Sequence, residues 1–349
     1  MKIAVIGAGE MGHGIAELAA LRGHDVAMRD VTPEYVERGM ERIRWSLGKL
    51  VERQEVAKAA ADEALARIRP TTDLREAVRD ADLVIEAVFE DLELKKKVFA
   101  ELDAHAPPGA LLASNTSGLS ITAMGRATKR PDKVVGLHFF NPVMLMPLIE
   151  VVKGEDTSEE TLAAAESLAR ALGKTPVVCR KDVPGFITTR TIAPYMLEAA
   201  WIHDEEGVPT EVIDSALRFQ VGFPMGPFEL LDRVGIDLML MATAEQGMPV
   251  PLSIDRLATA GKFGQKTGEG FYDHRQGKKP AITPDRGKDF DPLRVLAPVF
   301  NEAARLLEWK VAPSETIDLA MRLGTAFPEG PLRLADRFGV DAVLAALRG

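Results

Sequence analysis

A single cysteine, Cys179, in 349 residues excludes any intrachain disulfide and fits a reducing compartment. Its setting, Val177-Val178-Cys179, reads as a buried strand, so the thiol is expected in the core and not as a nucleophile. No stretch approaches the roughly 20 apolar residues of a membrane span, so no membrane partner is expected. Positive charge is in deficit: 43 lysines and arginines face 52 aspartates and glutamates, a net of −9. That balance argues against nucleic acid or an anionic surface as the main partner, and any phosphate must be met by local donors. A strand pattern opens at Lys2, so no leader peptide is expected and the cytoplasm is the expected location.

What is present is ordinary for a globular chain. Apolar residues make up 46% and charged residues 27%, enough to bury a core without disulfides or a metal, and no metal is expected. The length suggests two or three domains. Lys2 to Ile6 is an apolar run ending in glycines, the pattern of a parallel strand buried on both faces. A helix from Met11 to Arg22 and a strand from Asp25 to Arg29 follow. A charged stretch from Pro33 to Ile68 reads as one long helix. Further strands are expected at Ala81–Val88, Ala110–Ser114, Val134–Phe140 and Leu148–Val152, with a helix at Leu92–His105. Strands alternating with helices specify a doubly wound, mostly parallel α/β sheet of Rossmann type. It is expected to end near Asp182-Val183-Pro184-Gly185, where proline and glycine punctuate the chain.

Beyond Pro184 the pattern turns to amphipathic helices carrying an internal repeat. Phe223-Pro224-Met225-Gly226-Pro227 through Arg233 recurs as Phe327-Pro328-Glu329-Gly330-Pro331 through Arg337. Glu198-Ala199-Ala200 matches Glu302-Ala303-Ala304, and Ile213-Asp214 matches Ile317-Asp318, all in one register. A match this long is duplication of a helical unit. The expected organisation is a sheet domain at 1–183, a first helical repeat with a Gly/Lys/Pro-rich loop at 184–288, and a second repeat at 289–349.

Gly7-Ala8-Gly9-Glu10-Met11-Gly12 has the G-x-G-x-x-G spacing, weak alone but here placed between a strand and a helix. The glycines allow the tight turn, the approach of a pyrophosphate and close helix–strand packing, and the helix N-terminus offers amide donors. Asp30, at the end of the second strand, suits a ribose hydroxyl pair and repels a 2′-phosphate. NAD is therefore the expected cofactor, although the adjacent Arg29 leaves NADP open.

His138 follows a strand in Gly136-Leu137-His138-Phe139-Phe140-Asn141-Pro142. A histidine among apolar neighbours fits either a satisfied core residue or a catalyst. Its place near the C-terminal end of a strand favours a site, and Glu150, ending another strand, can orient and charge-stabilise the imidazole. Ser114-Asn115-Thr116-Ser117 offers hydroxyls to a reacting oxygen, or serves as turn and cap chemistry.

Together these residues closely resemble the 3-hydroxyacyl-CoA dehydrogenase family over the whole chain. The motifs are GAGEMGHGIA, SNTSGL, GLHFFNPV, LIEVV, PGF, FPMGPFELLD and GQKTGEGFY. The resemblance implies that His138 is the catalytic base, with Glu150 its partner and Ser117 bound to the substrate oxygen near the nicotinamide. Glu90, Lys95, Asn141 and Lys266 would join Gly7 to Gly12 and Asp30 around NAD. Ser46 and Arg53 match positions that touch CoA. The implied reaction is reversible NAD-linked oxidation of a short- or medium-chain (S)-3-hydroxyacyl-CoA to the 3-oxoacyl thioester.

One position departs from the family. After Pro184-Gly185-Phe186 the family places an asparagine that helps hold the substrate oxygen, where this chain has Thr189. Its shorter hydroxyl cannot place a donor at the same distance, which leaves an active enzyme with a water in the gap, an altered substrate preference or a weakened enzyme. Alternatives are a dehydrogenase of a free hydroxy acid, as in gulonate- or carnitine-oxidising relatives, or a non-catalytic NAD-binding scaffold. Relatives with one helical repeat dimerise through it, so the second repeat is expected to satisfy that surface internally, giving a monomer or a different homodimer.

Overall fold

The computed structural model describes residues 1–245 and 248–348. It divides into two compact units, Met1–Phe186 and Ile187–Gly349. No helix among the described residues is long and apolar enough to cross a membrane.

The first unit holds strands β1 (Lys2–Ile6), β2 (Asp25–Arg29), β3 (Ile68–Thr71), β4 (Leu83–Glu86), β5 (Leu111–Ser114), β6 (Val134–Phe139), β7 (Leu148–Val152) and β8 (Thr175–Cys179). They form one sheet in the order β3-β2-β1-β4-β5-β6-β7-β8. Every pairing is parallel except β6 with β7. Between the strands run α1 (Glu10–Leu21), α2 (Pro33–Glu52), α3 (Lys58–Ala66), α4 (Leu74–Val78), α5 (Leu92–His105), α6 (Ile121–Gly125) and α7 (Glu159–Ala171). All residues of β4, β6 and β7 are buried, as the continuous apolar runs require of a sheet covered on both faces. Strand order reverses at the β1–β4 pair, which opens a crevice at the strands' C-terminal ends where ligands of such sheets bind. Cys179 ends β8 fully buried, and burial pushes its thiol well above the ordinary range, which keeps it protonated and inert.

The stretch from Pro33 to Ile68 is not one helix. It breaks after Glu52, where Gln54 takes a left-handed φ of 60°, then re-forms as α3 and ends in β3. β3 lies at the sheet edge, where Pro70 leaves no interior ladder bond unmade. Its four residues were masked by the helical periodicity around them.

The second unit is helical: α8 (Thr188–Glu206), α9 (Thr210–Ala216), a π-helical turn at Leu217–Val221, α10 (Pro227–Val234), α11 (Ile236–Glu245), α12 (Leu252–Thr259), α13 (Leu293–Glu308), α14 (Ser314–Thr325), α15 (Pro331–Phe338) and α16 (Val340–Ala346). The repeat is visible as repeated contacts. Asp214 accepts the backbone N–H of Phe228 at 2.9 Å and of Glu229 at 3.0 Å, satisfying the first turn of α10. Asp318 does the same for α15 through Leu332 N–H at 2.9 Å. A Cβ on Gly226 or on Gly330 would collide with these carboxylates, which accounts for glycine before each proline. The copies meet at their equivalent residues Phe223 and Phe327, whose rings lie edge-on with centroids 4.7 Å apart. Arg190 of α8 pairs with Glu302 of α13 at 2.8 Å, and Arg294 at the start of α13 pairs with Glu206 of α8. The copies differ elsewhere: Glu229 of the first pairs with Arg218 at 3.1 Å, and the second carries Arg333 at that position.

Candidate active site

The turn after β1 is shaped by what glycine lacks. Gly7 has φ +110°, and a Cβ there would strike the carbonyl oxygen of Ala87. A Cβ on Gly12 would strike the Gly7 carbonyl, so α1 starts closer to β1 than any side chain allows. Gly9, the N-cap of α1, carries no capping side chain and faces open space. The first N–H groups of α1 are therefore not masked, as a pyrophosphate requires. Asp30 sits against the same turn: Oδ2 accepts Ala8 N–H and Oδ1 accepts Val31 N–H, both at 2.7 Å. Arg29, the residue that left NADP open, donates Nε to the Thr72 carbonyl at 3.2 Å. Glu10 contacts Arg42 at 3.4 Å and receives the Asn141 amide at 3.2 Å, linking the start of α1 to the segment after β6. Met11 is half-buried beside it. An open glycine turn, a helix end without a cap and a carboxylate at the second strand fit a dinucleotide.

His138 lies inside β6 and not after it, and Glu150 lies at the middle of β7 and not at its end; the two are register partners across these strands. The imidazole Nδ1 lies 2.6 Å from Glu150 Oε2, with the carboxylate fully buried and the histidine 7% exposed. Aromatic neighbours fix the ring: the Phe140 centroid is 4.4 Å away and that of Phe186 is 6.1 Å away. With Nδ1 committed to the carboxylate, Nε2 is the nitrogen left for proton transfer.

The polar segment after β5 joins both halves of the site. Asn115 Oδ1 accepts Phe139 N–H at 2.9 Å, tying the segment to the end of the strand that carries His138. Ser117 is exposed, with its N–H donating to Glu90 Oε1 at 2.9 Å and its hydroxyl at 3.3 Å. Thr116 donates its hydroxyl to the same oxygen. Glu90 also pairs with Lys95 at 3.2 Å. Lys95 is 1% exposed, and its ammonium lies 2.6 Å from Glu86, itself fully buried. In the sequence Glu86 is hidden within the apolar run Ala81–Val88, and its one signal there is an acidic residue inside a strand buried on both faces.

The remaining candidates stand apart. Ser46 is half-buried on α2 and donates its hydroxyl to Glu17 at 2.7 Å. Arg53 is exposed and caps the C-terminus of α2. Thr189 and Lys266 belong to the second unit. Thr189 is half-buried in the first turn of α8, and Lys266 pairs with both carboxylate oxygens of Asp237 at 2.5 Å.

Two family models match this chain. The NAD binding domain of 3-hydroxyacyl-CoA dehydrogenase matches residues 2–183, and the C-terminal domain of the same enzyme matches residues 185–274 and again 292–349. The alpha subunit of the fatty acid oxidation complex of Idiomarina loihiensis is 39% identical over 97% of this chain. This chain spans about half of that subunit's length, 50%. The mitochondrial hydroxyacyl-coenzyme A dehydrogenase of Sus scrofa is 42% identical over 78% of this chain and 91% of its own. The crystal structure of 3-hydroxybutyryl-CoA dehydrogenase from Escherichia coli K12 superposes with a TM-score of 0.90 at 33% identity, covering 100% of this chain and 93% of that one.

Proposed function

This chain belongs to the 3-hydroxyacyl-CoA dehydrogenase family, and from that premise we propose that it interconverts short- or medium-chain (S)-3-hydroxyacyl-CoA and 3-oxoacyl-CoA. The observation that carries the reading is the buried His138–Glu150 pair, 2.6 Å apart, at the C-terminal end of a sheet whose glycine turn fits a dinucleotide. The substrate class rests on similarity to proteins named for 3-hydroxybutyryl-CoA and hydroxyacyl-CoA.

NAD, held by Gly7 to Gly12, Asp30, Glu90, Lys95, Asn141 and Lys266, supplies the hydride acceptor. In the oxidation direction His138 Nε2 takes the proton of the 3-hydroxyl, and the positive charge that develops on the imidazole is balanced by Glu150. When substrate arrives, the Ser117 hydroxyl turns its one proton from Glu90 Oε1, 3.3 Å away in the free protein, to the substrate oxygen. The Ser117 N–H stays fixed on Glu90 at 2.9 Å and keeps the residue in place. Thr189 supplies a second, shorter donor to that oxygen. Ser46 and Arg53 on α2 contact the CoA moiety, Arg53 by charge attraction to its phosphates.

The test is NADH oxidation with acetoacetyl-CoA, followed at the NADH absorbance. Turnover with the thioester and none with free acetoacetate supports the reading. Turnover with a free hydroxy or oxo acid alone overturns it, and so does NADH binding without turnover of either.

A further inference from the structure

Glu86 ends β4 with no solvent exposure, and both its oxygens are engaged. Oε1 accepts Lys95 Nζ at 2.6 Å and Val88 N–H at 2.7 Å. Oε2 accepts the Ser114 hydroxyl at 2.6 Å, a contact set by the β4–β5 register that places Glu86 opposite Ser114. From Lys95 the connection runs to Glu90 Oε2 at 3.2 Å. The other oxygen of Glu90 holds the N–H and hydroxyl of Ser117.

Fixing a carboxylate and an ammonium away from water carries a desolvation cost that their attraction often only just offsets, and a hydrophobic pair in that place is often as stable. Fold stability is therefore a weak reason for this cluster. Its geometry supplies a better one. Glu86 anchors Lys95 at 2.6 Å and Lys95 holds Glu90 at 3.2 Å. The Glu90 carboxylate is thereby kept where it accepts the Ser117 backbone N–H, and the hydroxyl, which has one proton, is left to turn to a substrate. The residue after Glu86, Ala87, also walls the glycine turn at Gly7.

We propose that Glu86 is a positioning residue that acts through Lys95 and Glu90 to fix Ser117 for its contact with the substrate oxygen. The proposal rests on the functional reading above only in the role given to Ser117. Glu86→Gln keeps the shape and removes the charge. The expected result is a kcat lowered roughly ten- to a hundredfold, the scale of a misplaced reacting contact, with KM for acetoacetyl-CoA little changed. Hydrogen exchange of the ligand-free protein reads the placement directly, and amides of residues 114–120 should exchange faster in the variant.

A double-mutant cycle separates positioning from a general structural role. Glu86→Gln combined with Ser117→Ala should be no slower than Ser117→Ala alone. Multiplied losses overturn the proposal, as does a variant with normal kcat and normal exchange. If Glu86→Gln does not fold, Ser114→Ala removes one donor from the same carboxylate and should show the same pattern at smaller size; full activity with unchanged exchange there also overturns it. A wild-type protein inactive on acetoacetyl-CoA but with exchange dependent on Glu86 would sink the functional reading while keeping the Glu86–Ser117 coupling.

Discussion

His138 and Glu150 face each other across the single antiparallel step of an otherwise parallel sheet, Nδ1 to Oε2 at 2.6 Å. The reversal of β7 is what makes them direct neighbours, because antiparallel register puts opposed residues on one face within side-chain reach. His138→Gln should lower kcat by roughly 10² to 10⁴, the usual contribution of a positioned base. NADH affinity, measured by fluorescence titration, should stay at the wild-type value. A rate within a few-fold of wild type would remove His138 as the base.

Thr189→Val removes a hydroxyl at nearly constant volume. If Thr189 holds the substrate oxygen, kcat should fall by about 10², the loss seen when one preorganised donor is removed. Thr189→Asn should retain or exceed wild-type turnover with acetoacetyl-CoA. Steady-state kinetics on both variants check this, and an unaffected Thr189→Val would place the second donor elsewhere.

Glu17 is buried in α1, and burial raises its carboxyl from the ordinary 4.5 to about 7, against the opposing effect of the Ser46 hydroxyl. Because the folded value is raised, the folded state favours the protonated form. The contribution of this group is fully present below about 4.5 and is lost as pH rises through about 7. Glu17→Gln keeps an acceptor for Ser46 and removes the titration. It should leave stability unchanged near pH 4.5 and raise it at pH 8 by up to about 3 kcal/mol. Thermal unfolding at the two pH values checks this; an equal shift at both would sink the assignment.

Asp214 and Asp318 occupy equivalent positions but carry unequal loads. Asp214 receives two backbone N–H groups and the Tyr272 hydroxyl at 2.8 Å, whereas Asp318 receives the backbone N–H groups of Leu332 and Arg333 and, in place of a buried hydroxyl, lies 3.8 Å from the exposed Arg333 guanidinium. Asp214→Ala strands buried donors and should cost about 3 kcal/mol, and Asp318→Ala about 1 kcal/mol. Denaturant unfolding measures the difference, and equal losses would show that the copies are loaded alike.

Elements whose pattern is complete within themselves were legible in the sequence. β1, β2, β7 and α5 have the bounds their periodicity predicts, and the duplicated unit was visible in the gapless match of Phe223 through Arg233 with Phe327 through Arg337. β3 was hidden because an edge strand of four residues, with proline third, owes its conformation to pairing with β2 and not to its own composition. The break at Gln54 was hidden for a related reason, since no glycine or proline marks that left-handed turn. His138 and Glu150 could be named from their strands, but their pairing depends on the reversed direction of β7. Glu86 is more extreme: it is one letter in an apolar run, and its meaning lies in Ser114 and Lys95, which only the folded sheet brings to it.

The contact of Phe223 with Phe327 lies within one polypeptide, so it does not loosen on dilution as a contact between separate chains would. It also has a genetic side. In a symmetric pair of chains every substitution is written twice, and a change that suits one half is imposed on the other. Here each half is encoded once. Glu229, which pairs with Arg218, and Arg333, which faces Asp318, are opposite charges at one repeat position, a difference that no symmetric dimer of a single repeat can carry.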